Sequence, residues 1–368
     1  MKFVCDQQLL QNAVAISSRA ASSKSSFEEL EGILIEAGST LKLTGYDLKK
    51  GIYTTVDADI AEPGSVILNA KLFGEMVRRL PDGNVTVCSD GNYLTTVKCG
   101  KTEFSFMGSD PEKYPELPSV DGKQCYGIKQ GMLKKMIDQT IFAVSDSDAR
   151  PVYTGSLFEI DGNTLTVISV DGYRLAVRKE TLEGDYGHDE FIVPGTALGD
   201  IQRICSGDED VMINISVGGN HISFTIGDTV VVTRRLEGDF LNYRKAIPAS
   251  FKYTVTVDKT DLLRTIDRVA LIVSDKARNP VRMTFSDGTI DCLCNTPIGK
   301  AQDKCFCKGS GNDLEIGFND RYLTDALKAA PCNELLLCLN SPSSPCVISP
   351  ADENESFRYM ILPIKLRA

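Results

Sequence analysis

Three stretches of the chain alternate apolar and polar positions with period two, turn on a glycine, and alternate again. The first runs Gly32-Ile33-Leu34-Ile35-Glu36, turns at Gly38, and continues Leu41-Lys42-Leu43-Thr44-Gly45-Tyr46-Asp47. The second runs Ser156-Leu157-Phe158-Glu159-Ile160, turns at Asp161-Gly162-Asn163, and continues Leu165-Thr166-Val167-Ile168-Ser169-Val170-Asp171. The third runs Val281-Arg282-Met283-Thr284-Phe285, turns at Asp287-Gly288, and continues Ile290-Asp291-Cys292-Leu293-Cys294-Asn295. Successive side chains of a strand point to opposite faces, so each stretch predicts a β-hairpin closed by a glycine-containing turn. Asp47 and Asp171 are 124 positions apart, and so are Asp171 and Asn295. A fixed interval of this kind marks an internal repeat.

Two further landmarks recur at nearly the same interval. A strand leads into a short amphipathic helix and on into another strand: Val66-Ile67-Leu68, 70–80 and Val85-Thr86-Val87; then Phe191-Ile192-Val193, 196–204 and Val211-Met212-Ile213; then Leu314-Glu315-Ile316, 321–330 and Leu335-Leu336-Leu337. Pro81 and Pro331 follow the first and third of these helices, where proline is common just past a helix end. Each copy also opens with a helix whose apolar residues fall at helical spacing. They are Leu9, Leu10, Ala13, Val14 and Ile16; then Met132, Leu133, Met136, Ile137 and Ile141; then Leu262, Leu263, Ile266 and Val269, with Asp258 or Thr260-Asp261 as caps. The pattern predicts an α+β chain of three tandem copies, each with two helices and a largely antiparallel set of strands. Turn-rich segments near 115–119 and 248–250 place the domains at 1–121, 122–249 and 250–368. Copies of this size hold their own cores, unlike solenoid units.

Composition narrows the class. Apolar residues make up 42% and charged residues 24% of the 368, as in soluble globular proteins. No apolar run reaches the ~20 residues of a membrane helix, and the N-terminus turns polar too early for a signal peptide. A cytoplasmic protein is expected, with its 12 scattered cysteines as reduced thiols. The net charge of −10 argues, taken whole, against a phosphate-rich partner. Its distribution does not. The six helical segments 6–24, 70–79, 129–145, 194–206, 258–276 and 319–330 together carry +5, which leaves −15 for the remainder. Helices gathered on one surface would make that surface attractive to phosphates. The alternative is that Lys and Arg are simply good helix formers on solvated faces.

Motifs in the second and third copies carry a resemblance. Val170-Asp171-Gly172-Tyr173-Arg174-Leu175-Ala176-Val177 is similar to the Thr-Asp-Gly-His-Arg-Leu-Ala segment of the beta subunit of bacterial replicative DNA polymerase, the sliding clamp. Tyr359-Met360-Ile361-Leu362-Pro363-Ile364-Lys365-Leu366 resembles that family's closing aliphatic-Met-Pro-Met-Arg-Leu run, and segments 239–244 and 111–118 also fit. With the threefold repeat, the resemblance spans the whole chain. It implies the DNA clamp fold: two subunits joined head to tail in a ring, helices lining the hole and sheets forming the outer layer. It implies a processivity factor that is not an enzyme and needs no cofactor. The expected partners are double-stranded DNA, bound without regard to sequence, the polymerase III alpha subunit, the clamp loader and other clamp-motif proteins. No membrane partner is expected.

The resemblance also implies sites. The DNA-facing side chains would be Lys24, Lys71, Arg78, Lys134, Lys135, Arg150 and Arg203; Lys71 and Arg78, seven apart, share a helix face. The loop Ser145-Asp146-Ser147-Asp148 departs from the family in being acidic. A groove for partner peptides would use Tyr153, Val170, Gly172, Tyr173, Arg174, Leu175, Leu241 and Asn242. It continues through Lys245, Ala246, Cys346, Met360, Leu362, Pro363, Ile364 and Lys365. An apolar pocket with a polar rim suits Leu or Phe anchors of an extended segment. Val170, Tyr173, Leu241 and Cys346 stand where the family has Thr, His, Pro and Ser. Subunit closure would bring Met76, Leu80, Phe104 and Phe106 against Ile272 and Val273 of another copy; alternatively, Phe104 and Phe106 face only their own core.

Other signals carry less. Gly100-Lys101-Thr102 lacks the first glycine of a phosphate loop, since position 95 is Thr95, and a strand pattern follows it. Cys292 and Cys294 with Cys305 and Cys307 lack the knuckle spacing of structural zinc sites. His188 and His221 are the only histidines, and neither neighbours a nucleophile–carboxylate set, so no catalytic residue is assigned. The competing readings are a repeat-built peptide-binding scaffold without DNA binding, and an enzyme whose site leaves no sequence trace.

Overall fold

The computed structural model describes residues 1–121, 124–208, 210–273, 280–352 and 356–366. The first copy contains β1 (Lys2–Asp6), α1 (Gln7–Ser17), β2 (Gly32–Ala37), β3 (Leu41–Tyr46), β4 (Lys50–Val56), β5 (Asp59–Glu62), β6 (Gly64–Asn69), α2 (Ala70–Arg78), β7 (Asn84–Ser89), β8 (Leu94–Cys99) and β9 (Thr102–Met107). The second contains β10 (Gln124–Lys129), α3 (Gln130–Asp138), β11 (Gly155–Asp161), β12 (Thr164–Val170), β13 (Arg174–Thr181), β14 (His188–Pro194), α4 (Gly195–Ile204), β15 (Met212–Val217), β16 (His221–Ile226) and β17 (Thr229–Arg234). After a short connecting helix, α5 (Tyr243–Ala246), the third contains β18 (Tyr253–Asp258), α6 (Lys259–Ala270), β19 (Val281–Phe285), β20 (Thr289–Thr296), β21 (Gly299–Lys308), β22 (Leu314–Phe318), α7 (Asp320–Ala329), β23 (Glu334–Leu339), β24 (Cys346–Pro350) and β25 (Phe357–Ile361). The three hairpins read from the sequence are β2–β3, β11–β12 and β19–β20, all antiparallel. The six expected helices are α1 to α4, α6 and α7; α5 had no periodic signal.

Four helices start directly from a strand through an Asx cap, whose side chain accepts from the otherwise orphaned first-turn amides. Asp6 accepts from Gln8 and Leu9, Asn69 from Leu72, Asp258 from Asp261, and Asn319 from Tyr322. α1 runs one residue past its last expected apolar position, Ile16, whereas α3 ends before its own, Ile141. Ser17 and Thr140 return their hydroxyls to Ala13 and Met136 carbonyls at 2.8 Å, and such local side-chain bonds compete with helix propagation. Ile141 therefore lies beyond α3, in a separate turn.

The chain divides into two compact units, Met1–Gly131 with Asp200–Arg235, and Met132–Gly199 with Leu236–Ala368. In the first unit a five-stranded sheet, β5-β1-β7-β8-β9, accompanies an eight-stranded one, β10-β15-β16-β17-β4-β3-β2-β6. Phe3, Leu10, Val14, Ile33, Leu43, Leu68, Phe73, Val77 and Val87 belong to one buried core there. Gln7 ties α1 to α2 by donating to the Val77 carbonyl at 2.8 Å. The second unit holds a twelve-stranded sheet, β14-β11-β12-β13-β25-β24-β23-β18-β21-β20-β19-β22. Its largest core gathers Leu262, Ile266, Phe285, Phe318, Leu327, Leu337 and Tyr359.

Each copy deals its strands into two groups, and the groups join across copies. The set β10, β15, β16, β17 continues the sheet of copy one through β17–β4, with Thr229 opposite Thr54. The set β18, β23, β24, β25 continues the sheet of copy two through β25–β13, with Met360 opposite Leu175. Among the described residues, two counterparts keep edges without a partner strand. β9 ends its sheet, and β21 pairs with β18 only at Cys307 and Lys308, leaving the rest of its outer edge without a described partner.

β3 passes so close to the end of α1 that a Cβ on Gly45 would lie 2.0 Å from the Ser17 carbonyl oxygen. Backbone cannot yield as a side chain does, so Gly45→Ala should destabilise by about 1–3 kcal/mol. A thermal melt followed by circular dichroism should show a midpoint several degrees lower; an unchanged midpoint would mean that this approach is not tight.

Candidate functional site

The second unit assembles much of the expected groove. The β13–β25 ladder sets Leu175 beside Met360. Tyr153, Val170, Leu175 and Met360 share a buried cluster, and Leu241, Ala246 and Leu362 pack against it half-exposed. Tyr153 comes from a helical turn at Pro151–Thr154, and its ring meets Phe240 edge-on at 5.5 Å. Asn242 caps α5 through the Lys245 amide, holding the connector that carries Leu241 and Ala246. Leu175 is fully buried, so it forms floor rather than contact surface. Cys346, 1% exposed, belongs instead to the core of the third copy.

Backbone bonds fix the C-terminal segment. The Leu362 amide donates to the Tyr173 carbonyl at 2.9 Å, and the Ile364 amide to the Gly317 carbonyl at 2.7 Å. Any Cβ on Gly317 would fall 2.5 Å from Leu366 and 2.9 Å from the Ile364 oxygen, so glycine is required for the tail to lie there. Pro363 lies half-buried between these two bonds, and Lys365 is exposed just after them. Gly172 takes φ +94° in the turn before β13, a conformation that glycine adopts freely.

The polar rim includes residues that the sequence reading missed. Arg174 donates from Nε to Asp171 at 2.9 Å and from Nη1 to Asp325 on α7 at 2.6 Å. Its guanidinium also lies 4.6 Å from the Tyr322 ring centre and 5.5 Å from that of Phe142. Tyr173, 61% exposed, stacks on Tyr322 at 6.1 Å. Tyr322 and Asp325 sit three apart on α7 and so share a face; that spacing was the available signal, though nothing in it named Arg174 as the partner.

The cations expected to face DNA divide between the units. In the first, Lys24, Lys71, Arg78 and Arg203 are exposed. Arg78 and Arg79 both bind Glu75, at 2.7 and 2.8 Å. The Arg78 hydrogen bond holds the Glu75 carboxyl below its usual range. In the second, Lys134 is half-buried and Lys135 exposed. Arg150 reaches Tyr153, donating to its hydroxyl at 3.4 Å with the guanidinium 5.6 Å from the ring centre. That places Arg150 against a groove residue.

Of the residues expected for subunit closure, Phe104 and Phe106 lie on the edge strand β9, Met76 and Leu80 on and just after α2, and Ile272 and Val273 just after α6. Phe104 and Phe106 are half-buried against the first-copy core, with Phe106 6.4 Å from Phe73. Met76 is half-buried too, and Leu80 is 6% exposed, leaving it little surface. In the other unit Ile272 and Val273 are half-buried against the third-copy core. Larger apolar exposures are Met107 at 64% and Leu271 at 83%, adjacent in sequence to Phe106 and Ile272, and Ile298 at 79% and Phe306 at 75% in the third copy.

Other signals resolve into ordinary structure. Gly100 and Lys101 form the β8–β9 turn, with Cys99 opposite Thr102. The cysteines are free thiols, and Cys292, Cys294 and Cys305 are buried, with burial pushing the Cys305 thiol up to about 12. Among the described residues no group of three metal-ligating side chains comes together, and no helix is long and apolar enough to cross a membrane.

Three copies of a two-helix, antiparallel-sheet domain, with sheets that continue from copy to copy, define the clamp fold. Sequence profiles of the DNA polymerase III beta subunit match throughout: its N-terminal domain over 1–118, its central domain over 127–242 and its C-terminal domain over 244–365. The beta sliding clamp of Halalkalibacterium halodurans is 32% identical over 381 residues, covering 99% of this chain and 100% of that protein. That of Staphylococcus epidermidis is 30% identical over 376 residues, covering 99% of both. The crystal structure of the Bacillus subtilis DNA polymerase sliding clamp superposes with a TM-score of 0.94 at 28% identity, covering 100% of both chains. The Streptococcus pyogenes DNA polymerase beta subunit gives 0.93 at 26% identity, again over 100% of both. The chain belongs to the DNA polymerase III beta subunit family, the sliding clamps of DNA replication.

Proposed function

We propose that two copies of this chain close head to tail into a ring around duplex DNA and tether the polymerase III alpha subunit, the clamp loader and other clamp-motif proteins to it. The observation that carries this reading is the pattern of strand edges. β17 seats on β4 and β25 on β13. β9 is the counterpart of β17 and β25, and β21 of β4 and β13, yet each keeps an open edge. A third ladder of the same kind, β9 of one copy on β21 of the next, satisfies both. Exposed Phe306 and half-buried Phe104 and Phe106 supply apolar surface for that seam, to which Met76, Leu80, Ile272 and Val273 are also assigned.

A closed ring holds duplex by topology, so phosphate contacts stay few and carry no sequence information. Lys24, Lys71, Arg78, Lys134, Lys135, Arg150 and Arg203 are assigned to that lining, and the groove around Leu175 and Met360 to partner peptides. The domain limits 1–121, 122–249 and 250–368 follow the repeat. The protein is an accessory factor without catalysis or cofactor, working in the cytoplasm.

Three outcomes test the reading. Once loaded, the protein should stay on closed circular DNA and leave after linearisation; equal retention on both forms, followed by gel filtration, excludes topological holding. Phe106→Asp should shift a dimer to monomer in sedimentation, and an unchanged mass counts against the β9–β21 seam. Leu362→Ala should weaken binding of an extended peptide with Leu and Phe anchors about tenfold in anisotropy titration. Undiminished affinity would move the groove elsewhere.

A further inference from the structure

The first unit contains a charge cluster that helix-by-helix counting does not register. Asp200 on α4 is 7% exposed and Lys50 on β4 is 8% exposed, and the Lys50 ammonium donates to Asp200 Oδ2. Two arginines approach the other carboxylate oxygen: Arg19 Nη1 stands 3.8 Å and Arg203 Nη1 4.0 Å from Oδ1. Their side chains are 31% and 65% exposed, against 9% for Lys50. Three cations thus surround one carboxylate, with the most buried in direct contact and the two solvent-facing ones beyond direct hydrogen-bond length.

A buried carboxylate needs a paired and hydrogen-bonded charge. Lys50 supplies it from inside the fold, so Asp200 makes no full claim on either arginine. Counted along α4 alone, Arg203 and Asp200 cancel; in three dimensions Lys50 cancels Asp200, and Arg19 and Arg203 remain as a surplus of two positive charges. Guanidinium groups suit phosphate oxygens by geometry and charge.

We infer that Lys50 is a positioning residue for DNA binding: by neutralising Asp200 from within, it keeps Arg19 and Arg203 available to the phosphates of duplex DNA. Lys50 itself touches no phosphate. Without it, Asp200 would draw in one or both arginines, each already within 4.0 Å. The inference rests on the reading that Arg203 faces DNA, and it adds Arg19 to that surface.

The test uses the full-length protein and a short linear duplex of arbitrary sequence, with anisotropy titrations at several salt concentrations. Arg19→Ala and Arg203→Ala should each weaken binding about threefold to tenfold and lower the slope of log affinity against log salt by about one. Lys50→Met should do the same although its side chain is buried. Asp200→Asn added to Lys50→Met should restore both affinity and slope, because no carboxylate remains to hold the arginines. A Lys50→Met protein with wild-type affinity and slope overturns the inference, as does a double variant that stays as weak as Lys50→Met. If neither arginine variant changes affinity or slope, the assignment of this face to DNA fails, and the inference with it. Should Lys50→Met not fold, Asp200→Asn alone decides: affinity at or above wild type supports the inference, and a fall overturns it.

Discussion

Antiparallel backbone pairing between copies, β4 with β17 and β13 with β25, is the constraint on which the other features depend. Each ladder satisfies a row of peptide groups that an isolated copy would leave open at its sheet edge. The same ladders place the side chains of the candidate site. Met360 reaches Leu175 because β25 lies on β13 in that register, and a shift of one residue would turn every side chain of β25 to the other face. Lys50 and Thr233 face each other across β4 and β17, which sets the lysine at its depth. Groove and charge cluster are therefore both products of seams between copies.

The repeat and its hairpins were readable because period-two alternation and glycine turns are local. Leu34 opposite Thr44 and Met283 opposite Cys292 follow from a short turn between adjacent strands. Pairing at a distance is not local. Alternation on β17 shows which side is buried but not that Thr229 sits beside Thr54 rather than beside a strand of its own copy. The length of α3 was overestimated for a related reason: apolar spacing continues through Ile141, while Thr140 has already turned its hydroxyl back to the helix.

The groove was legible only in part. Its apolar members came from the motif around Arg174, the closing segment, Tyr153 and the 241–246 connector; four lie in one buried cluster and three more pack against it. The partners of Arg174 on α7, Asp325 and Tyr322, lie some 150 positions along the chain, and a charge count could enter Asp325 only as a neighbour on its own helix. Asp200 illustrates the same limit. Sequence sets it against Arg203 three residues away, whereas folding sets it against Lys50, 150 positions earlier.

The free edges of β9 and β21 differ in sequence and belong to opposite ends of the repeat. On the proposed β9–β21 seam, unlike edges make association directional: a second copy adds to one end without using up the other. Repeated addition of this kind has two outcomes, a closed cycle if the accumulated rotation returns to the start, or an unending fibre if it does not. Nothing in the edges themselves stops the fibre. On the head-to-tail reading proposed above, closure depends on the twist built into each seam between copies, so a substitution that altered twist at β4–β17 would change how many chains the assembly contains.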